Sequence, residues 1–584
     1  MLVYGDHSET ADPRERLERI ADQLVAVTTM AAGIARHASL AGALIDAGQL
    51  LQGVADAYFE EFGADCRTPA GDALTGYVYA IARAVLRSWE SGFADRGELA
   101  AAARSCELPS KVELRTPEGF AFYAVYPEAC FEAARRLRLS GSPRIIGIRS
   151  IGTTLAASVA VALDAPPPVT LRPHGDAFAR RITIAPELER ELLAEDVHYI
   201  VVDEGPGQSG SSFGAVADWL QARGVSLDRI AFVPSHSGAP GPQATEAHRA
   251  RWNLAQRVSA DFGEELPQLL RKWVSSITLV DAPLVDISAG EWRRHVCAHE
   301  QDWPAAMPAW ERLKFLAHAR SGSGRLMLKF AGLGSIGERK LGMARALHSA
   351  GLTAKPFGLL HGFLVERWCE GKPLGRDEKP IAEVAHYIAT RARLFPANAD
   401  SGATLERLFE MSRRNIGLAL EDVSAKLLDR WSSRLDVLSR RVVRVRTDNK
   451  LDRHEWLHSP DGRLLKTDAL DHHAAHDLIG CQDMAWDIGG AIVEFELNAR
   501  EADGLIATAE RISGRHVDHE LLEFCLLAYL AFRIGQASFA AQICAFDASE
   551  AARLKAAADR YGTELKALLL QSSSASNWLE SSVD

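Results

Sequence analysis

The sequence predicts an α/β multidomain protein: a doubly wound parallel sheet, then an α+β section whose C-terminal part is helical. Three observations predict it. Short β-branched apolar runs, "RIIGI" and "YIVVDE", alternate with helical patterns between about residues 110 and 240, the rhythm of parallel strands joined by crossover helices. A second strand-bearing section opens at "GRLMLKFAGLG" and does not resemble the first. From about residue 375 the apolar spacing is helical, interrupted by one hairpin near 456–468.

Taken in order, residues 1–105 read as a helical N-terminal region. "RLERIADQLVAVTTMAAGIARHASLAGALIDAG" has apolar residues at helical spacing and ends on Gly48. Residues 106–240 read as the parallel-sheet domain. Its first segment, "FAFYAVYPE", is aromatic and strand-like, "TTLAASVAVAL" and "FGAVADWLQARG" are its helices, and "IAFVPSHSG" is a further strand. "GAPGPQ" opens a connecting region, 241–320, of charged helices rich in Trp, expected to pack between domains. Residues 321–570 form the second sheet-bearing domain, and "SSSASNWLESSVD" within 571–584 reads as a disordered tail.

Bulk properties narrow the function. The 584 residues leave ample length for large cores, and 47% hydrophobic with 24% charged residues is ordinary for a globular protein. A net charge of −11 argues against coating nucleic acid. Eight scattered cysteines without a CxxC pair suggest a reduced, cytoplasmic protein. The N-terminus lacks an apolar signal core, and apolar runs such as "LLAYLAF" fall short of a membrane span. Nothing in the sequence indicates an oligomeric state.

"YIVVDEGPGQSGSSF", 199–213, ends a buried strand in two acids and a Gly/Ser loop. Beyond the carboxyl end of a parallel strand, such a loop can close its N–H groups on a phosphate at the next helix N-terminus. Adjacent carboxylates can accept hydrogen bonds from two vicinal hydroxyls, so the set suits a ribose 5-phosphate. The plain alternative is a Gly/Ser turn with solvated acids. The stretch resembles the type I phosphoribosyltransferases. The resemblance implies that Asp203 and Glu204 hold the ribose of phosphoribosyl pyrophosphate (PRPP) and that Ser209, Gly210, Ser211 and Ser212 hold its 5-phosphate. The loop has one residue more than the family pattern. Upstream, "RIIGIRSIGTTLAASVA" matches the family's pyrophosphate loop, which implies PRPP contacts from Ser150, Gly152 and Thr153 and stabilisation of the leaving pyrophosphate by Arg149. Magnesium would accompany PRPP. "RPHGDAFARR", 172–181, falls where substrate-recognition segments lie and receives no role.

The second section contains Gly332, Gly334 and Gly337 as G-x-G-x-x-G between a strand and a helix, a dinucleotide-like context without the acid expected downstream. Further on, "HGFLVERWCEGKPL", "LLKTDALDH" and "DMAWDIGGA" resemble the hinge, metal-aspartate and structural-aspartate segments of aminoglycoside-phosphotransferase-like kinases. That resemblance implies a kinase-like α+β domain with a helical C-lobe, ATP and Mg2+ as ligands, Lys329 on the nucleotide phosphates, a hinge around Glu366 and Trp368, Asp448 near the acceptor hydroxyl, Asp468 on magnesium and His454 beside it. Asp487 would be the structural aspartate. The usual loop histidine is replaced by Arg446, and Arg453 stands where a metal-binding asparagine is expected.

"HEWLH", 454–458, is a formal H-E-x-x-H, which binds zinc only on a helix. Here "SPDG" turns the chain and "LLKTD" reads as a returning strand, which would hold His454 and His458 about 13 Å apart. The expectation is therefore a bifunctional transferase: PRPP-dependent transfer to an acceptor the sequence does not name, plus a kinase-like ATP-dependent phosphotransferase, active or not. The rivals are a zinc hydrolase on His454-Glu455-x-x-His458 and a non-catalytic nucleotide sensor.

Overall fold

The computed structural model describes residues 1–573 apart from 6–7, 98, 100–106, 194–195, 278–279, 281–282, 321–323, 421–425 and 427. The tail expected to be disordered lies outside the described residues from 574 on. The architecture is mixed α/β. It begins with β1 (Ser8–Ala11) and three helices, α1 (Pro13–Thr29), α2 (Ile34–Phe62) and α3 (Pro69–Glu90). Asp12 and Thr68 cap α1 and α3 through their side chains, each followed by Pro in the first turn. β2 (Val112–Arg115) then returns to pair antiparallel with β1.

The aromatic segment expected to be a strand is instead helical. Glu118–Phe122 forms α4 and Pro127–Arg135 forms α5. Pro127 starts α5, and its alanines and Phe131 bury one face at helical spacing. The parallel sheet begins after it, with β3 (Ser142–Ile148), α6 (Gly152–Ala162), β4 (Val169–Leu171), a small hairpin of β5 (His174–Asp176) and β6 (Ala179–Arg181), α7 (Pro186–Leu192), β7 (Val197–Val202), α8 (Ser211–Gln221), β8 (Ile230–Val233), α9 (Glu246–Leu254) and β9 (Gln256–Arg257). The strand order is β4-β3-β7-β8-β9, all parallel. The order reverses between β3 and β7, and this switch point opens a crevice at the strands' carboxyl ends. β9 lies within the segment expected to be a helical connection.

After α10 (Leu266–Val274) the chain enters the second sheet: β10 (Val285–Asp286), β11 (Lys314–His318), β12 (Arg325–Phe330), α11 (Gly334–Ser349), β13 (Pro356–Leu360) and β14 (Phe363–Arg367), ordered β10-β11-β12-β14-β13 and antiparallel throughout. "KFLAH", also in the expected helical connection, is thus a sheet strand. The Trp-bearing turns at 291–310 are 3-10 turns. The register sets Lys314 opposite Lys329, and Met327 opposite Glu366. Alternation along each strand therefore places Lys314, Met327, Lys329, Leu364 and Glu366 on one face, and Phe315, Leu328, Phe330, Phe363 and Val365 on the other.

That second face packs into one apolar cluster with Tyr126 just before α5, Trp273 of α10 and Ile145, Ile200 and Val202 of the parallel sheet. The two sheets share a core. The glycines of the G-x-G-x-x-G run serve packing: a Cβ on Gly334 would stand 2.7 Å from Cα of Gly42 in α2. This close helix-to-helix approach, not a dinucleotide, explains that glycine.

The C-terminal part is helical, with the expected hairpin at Trp456–His458 and Leu464–Lys466. The chain's first residues thread into it: Leu2 N–H donates to Asn415 Oδ1 at 2.7 Å, and Leu478 N–H donates to the Val3 carbonyl at 3.1 Å. Among the described residues one helix region, His519–Phe546, is long and apolar enough to cross a membrane, longer than the apolar runs had suggested; 78% of its apolar window is buried inside the protein, as in a core helix.

Arg149 anchors α2 to the parallel sheet. Its guanidinium pairs with Asp65 and, at 3.0 Å, with Asp56. Both it and Asp65 are buried, so loss of the cation strands an anion. Arg149→Met is expected to cost about 3–5 kcal/mol in urea unfolding; a cost below about 1 kcal/mol would show that the pair behaves as a solvated one.

Candidate functional sites

The first site lies at the β3/β7 switch point. Ser150 and Ile151 after β3, Asp203 and Glu204 after β7, Arg180 of β6 and Ser212 of α8 line a cleft of about 390 Å³. Gly152 opens α6 against the end of β7, where a Cβ would meet the Val202 carbonyl at 2.6 Å. This close packing brings the two loops together. The Gly119 N–H donates to Glu204 Oε2 at 3.2 Å, and the Glu204 carbonyl accepts from Ser235 at 2.6 Å.

Both acids face the cleft, and among the described residues no cation is paired to them. Burial pushes the Asp203 carboxyl up to about 7. Burial, reinforced by Asp203 and Glu118, pushes Glu204 up to about 8. Near neutrality the pair therefore holds a proton against the low local polarity. A ligand offering hydroxyls, or a cation, would compensate the charge.

Several expected ligands have other work. The Arg149 guanidinium is turned to Asp56 and Asp65, so it is not free to meet pyrophosphate. Arg149 does line the cleft, so the role expected for it would require it to exchange these partners. Thr153 is fully buried in the first turn of α6, and Gly152 serves packing, so neither offers a side chain to the cleft. Ser209 Oγ donates to Ser211 Oγ at 2.9 Å, which donates to the Ala177 carbonyl at 2.8 Å. Those two hydroxyls bind the β5–β6 hairpin rather than a phosphate. Gly210 takes φ +64° at the start of α8. Ser212 remains at the cleft, and Arg180 Nη1 donates to its Oγ at 3.2 Å. Arg180, like Arg115 and Glu118, lines the cleft and was passed over by the sequence reading. The signal was the arginine pair in "DAFARR", but only the hairpin carries it over α8.

The second site lies between the antiparallel sheet and the helical part. Two adjoining cavities of about 150 and 380 Å³ share Trp292, Lys314, Lys329, His454, Glu455 and Asp468. The smaller is walled by Met327, Leu364, Trp368, Leu457 and Leu470 and includes Glu366. The larger has a mixed lining and brings in the charged groups of Asp452, His472, Asp477 and Arg533. Lys329 contacts both Asp468 and Asp471, and Asp471 also pairs with Lys340 of α11. Burial works against each of these charges. The Lys329 and Lys314 cations nevertheless hold the Asp468 carboxyl well below its usual range, and Lys329 and Lys340 do the same for Asp471. Burial pushes Glu366 up to about 7.

Asp448 is not open to this cleft. It is buried, hydrogen-bonded by Tyr387 and by His472 Nδ1 at 2.8 Å, with Lys466 Nζ at 3.3 Å. Asp487 receives the N–H groups of Asp448 and Asn449 at 2.8 and 2.9 Å and fixes that loop. Two carboxylates reach the cleft from the same loop: Asp452, paired with Arg533 at 2.7 Å, and Glu455, paired with Lys466 at 2.5 Å and pushed by burial up to about 7. His454 stacks on Trp292 with ring centroids 5.7 Å apart. His472, not His454, lies with Asp448 and Glu455 in a group whose ligand atoms fall within 4.8 Å of one another. The sequence reading gave Asp471 no role and weighed Glu455 and His472 only as zinc candidates, although "DALDH" sets Asp471 three residues after Asp468.

The H-E-x-x-H run is no zinc helix. Residues 453–455 form a 3-10 turn and 456–458 a strand. His458 Nε2 meets Glu378 at 2.6 Å at the surface, while His454 turns inward against Trp292. The zinc-hydrolase rival loses its paired histidines.

No protein-family model and no curated protein matches this sequence. Solved structures similar to part of it include choline kinase LicA from Streptococcus pneumoniae, with 15% identity and a TM-score of 0.33, covering 53% of this chain and 100% of that one. A putative aminoglycoside phosphotransferase from Ralstonia eutropha has 14% identity and a TM-score of 0.35, over 53% and 99% of the two chains. Macrolide 2'-phosphotransferase type I has 14% identity and a TM-score of 0.31, over 50% and 95%.

The raised acids of the first cleft give a pH signature. Their folded-state values, about 7 and 8, exceed the unfolded values of about 4. The folded state therefore binds more protons, and stability is fully present below pH ~4 and is lost progressively up to pH ~8. The double variant Asp203→Asn, Glu204→Gln should show a flatter fall in melting temperature over that window than the parent. Parallel curves would mean that both acids ionise freely.

Proposed function

We propose that the second cleft binds a nucleoside triphosphate with magnesium and transfers its terminal phosphoryl group. The observation that supports this most is the Lys329–Asp468 pair at the mouth of an apolar slot. A strand lysine can hold nucleotide phosphates, and a carboxylate beside it can hold Mg2+ between them. The base would lie against Met327, Leu364 and Trp368, near Glu366. The acceptor would enter the larger cavity, beside Asp452, His472 and Arg533. Glu455 is the carboxyl suited to take the acceptor's proton, because its affinity for a proton lies near neutrality. Asp448 is then a positioning residue, acting through His472 and Lys466. By calorimetry, Asp468→Asn should weaken Mg·ATP binding at least ~10-fold, which is about 1.4 kcal/mol. Glu455→Gln should leave binding nearly intact and lower phosphoryl transfer by at least about 100-fold. If the parent binds Mg·ATP but transfers phosphate to no acceptor or water, the cleft is a nucleotide sensor. If a folded parent binds neither ATP nor GTP at millimolar concentration, the reading fails.

A second reading belongs to the first cleft, and the unpaired Asp203 and Glu204 beside the α8 N-terminus favour it. We infer that this cleft takes PRPP with magnesium for phosphoribosyl transfer. The acids would accept the ribose hydroxyls as positive charge grows on the anomeric carbon. The N-terminal turn of α8, with Ser212 and Arg180, would hold the 5-phosphate. Mg·PRPP should raise the melting temperature of the parent, since a ligand bound only by the native state stabilises it. The shift should vanish in the Asp203→Asn, Glu204→Gln variant and shrink in Arg180→Ala. An equal shift in all three proteins would place PRPP elsewhere.

A further inference from the structure

Away from both clefts, His37 of α2, Glu128 of α5 and His361 of the β13–β14 turn meet in the interior. All three are buried, with at most 2% exposure. They come from segments more than 90 and 230 residues apart in the chain. Their ligating atoms lie within 4.8 Å of one another. His37 Nε2 is 2.9 Å, and His361 Nε2 3.3 Å, from Glu128 Oε1. Around them stand rings: Phe93 is 4.7 Å from the His37 ring, and Tyr126 and Trp273 are 5.1 and 5.2 Å from the His361 ring.

The charge balance of this group is incomplete. Burial pushes the His37 imidazole down, toward the neutral form. Burial opposes ionisation of Glu128 as well, but His361 and His37 together hold its carboxyl below the usual range. An anion in an apolar pocket costs several kcal/mol unless it is paired. The hydrogen bonds do not complete the pairing. Among the described residues, Glu128 Oε2 and both ring nitrogens of His361 have no hydrogen-bond partner, despite full burial. The His361 ring is close to the carboxylate but is not aligned to donate to it. His361 also sits at φ +41°, a conformation that a non-glycine residue adopts only when its surroundings hold it there.

We propose that His37, Glu128 and His361 form a structural site for a divalent transition metal of the zinc class. The donor set is two imidazole nitrogens and a carboxylate, which suits zinc and its neighbours rather than magnesium or calcium. Tetrahedral zinc with bonds of about 2.0–2.1 Å sets its ligand atoms about 3.4 Å apart, close to the 2.9 and 3.3 Å separations here. His37, His361 and Glu128 Oε1 fill three tetrahedral positions, and Glu128 Oε2 can approach as a fourth donor with a narrow bite, which makes a distorted four-coordinate site. A supporting contact is already in place: His37 Nδ1 meets Ser88 Oγ at 3.0 Å, which turns Nε2 toward the carboxylate. The metal would tie the N-terminal helices, α5 of the first sheet section and the β13–β14 turn of the second.

The test uses the full-length protein, purified without chelator and analysed for metals by mass spectrometry. About one zinc per chain is expected, together with an absorption spectrum of four-coordinate cobalt after exchange with Co2+. His361→Asn and Glu128→Gln should each lose the metal and the cobalt bands while circular dichroism shows a folded chain. His472→Gln, in the other His–carboxylate group, should keep both. A chelator should lower the melting temperature of the parent but not that of His361→Asn. If the folded parent takes up no stoichiometric zinc, cobalt, nickel or iron, the group shares a proton instead and the proposal is wrong. Metal retained by His361→Asn overturns it equally. Should the variants fail to fold, the cobalt spectrum of the parent decides: its absence overturns the site.

Discussion

The two sheets bury one apolar core between them, and the position of every other part follows from this. Tyr126 at the start of α5 and Trp273 of α10 pack in one cluster with Ile145, Ile200 and Val202 of one sheet and Phe315, Phe330 and Phe363 of the other. Each large side chain removed from water contributes about 1.5–3 kcal/mol, so the shared layer holds far more free energy than any single ion pair. Neither sheet could keep its inner face covered alone. The crevice of the parallel sheet and the cleft of the antiparallel sheet are therefore fixed parts of one body. The N-terminal residues reinforce this, because Val3 packs in the core of the C-terminal helices.

Against that background the two clefts handle charge in opposite ways. In the first, desolvation wins: Asp203 and Glu204 have no paired cation among the described residues and hold their protons to about 7 and 8. In the second, pairing wins. Lys329 lies between Asp468 and Asp471, and Asp471 is shared with Lys340. The cations outweigh burial, and both carboxylates stay ionised. A site of unpaired acids awaits donors or a cation; a site of paired charges must exchange partners when a polyphosphate and its metal arrive. Arg149 belongs to the second kind. Its pairing with Asp56 and Asp65 makes it an anchor for α2 rather than a ligand group.

Neighbours in space also reassign glycines and hydroxyls. Gly334 is small because Gly42 of α2 approaches it, and Ser209 and Ser211 are polar because they hold the β5–β6 hairpin. In each case a residue type suited to phosphate binding is used for packing or for a turn. The hairpin, in return, brings Arg180 to the cleft.

The sequence by itself determined what depends on local pattern. The buried β-branched runs of β3 and β7 specify parallel strands, and "SPDG" specifies the turn that makes "HEWLH" a strand end rather than a zinc helix. Lys329 and Asp468 were legible because a strand fixes the face of its side chains and a strand end fixes where its acid emerges. "FAFYAVYPE" misled because aromatic residues suit a strand or a buried helix equally, and its partners α2 and the second sheet lie far away in sequence. The tertiary structure alone decided which charges meet. It turned Arg149 to Asp65, buried Asp448 under Tyr387, and brought His37, Glu128 and His361 together. A side chain's ionisation and its partner depend on distance and solvent access, and these are set only when separate segments close around it.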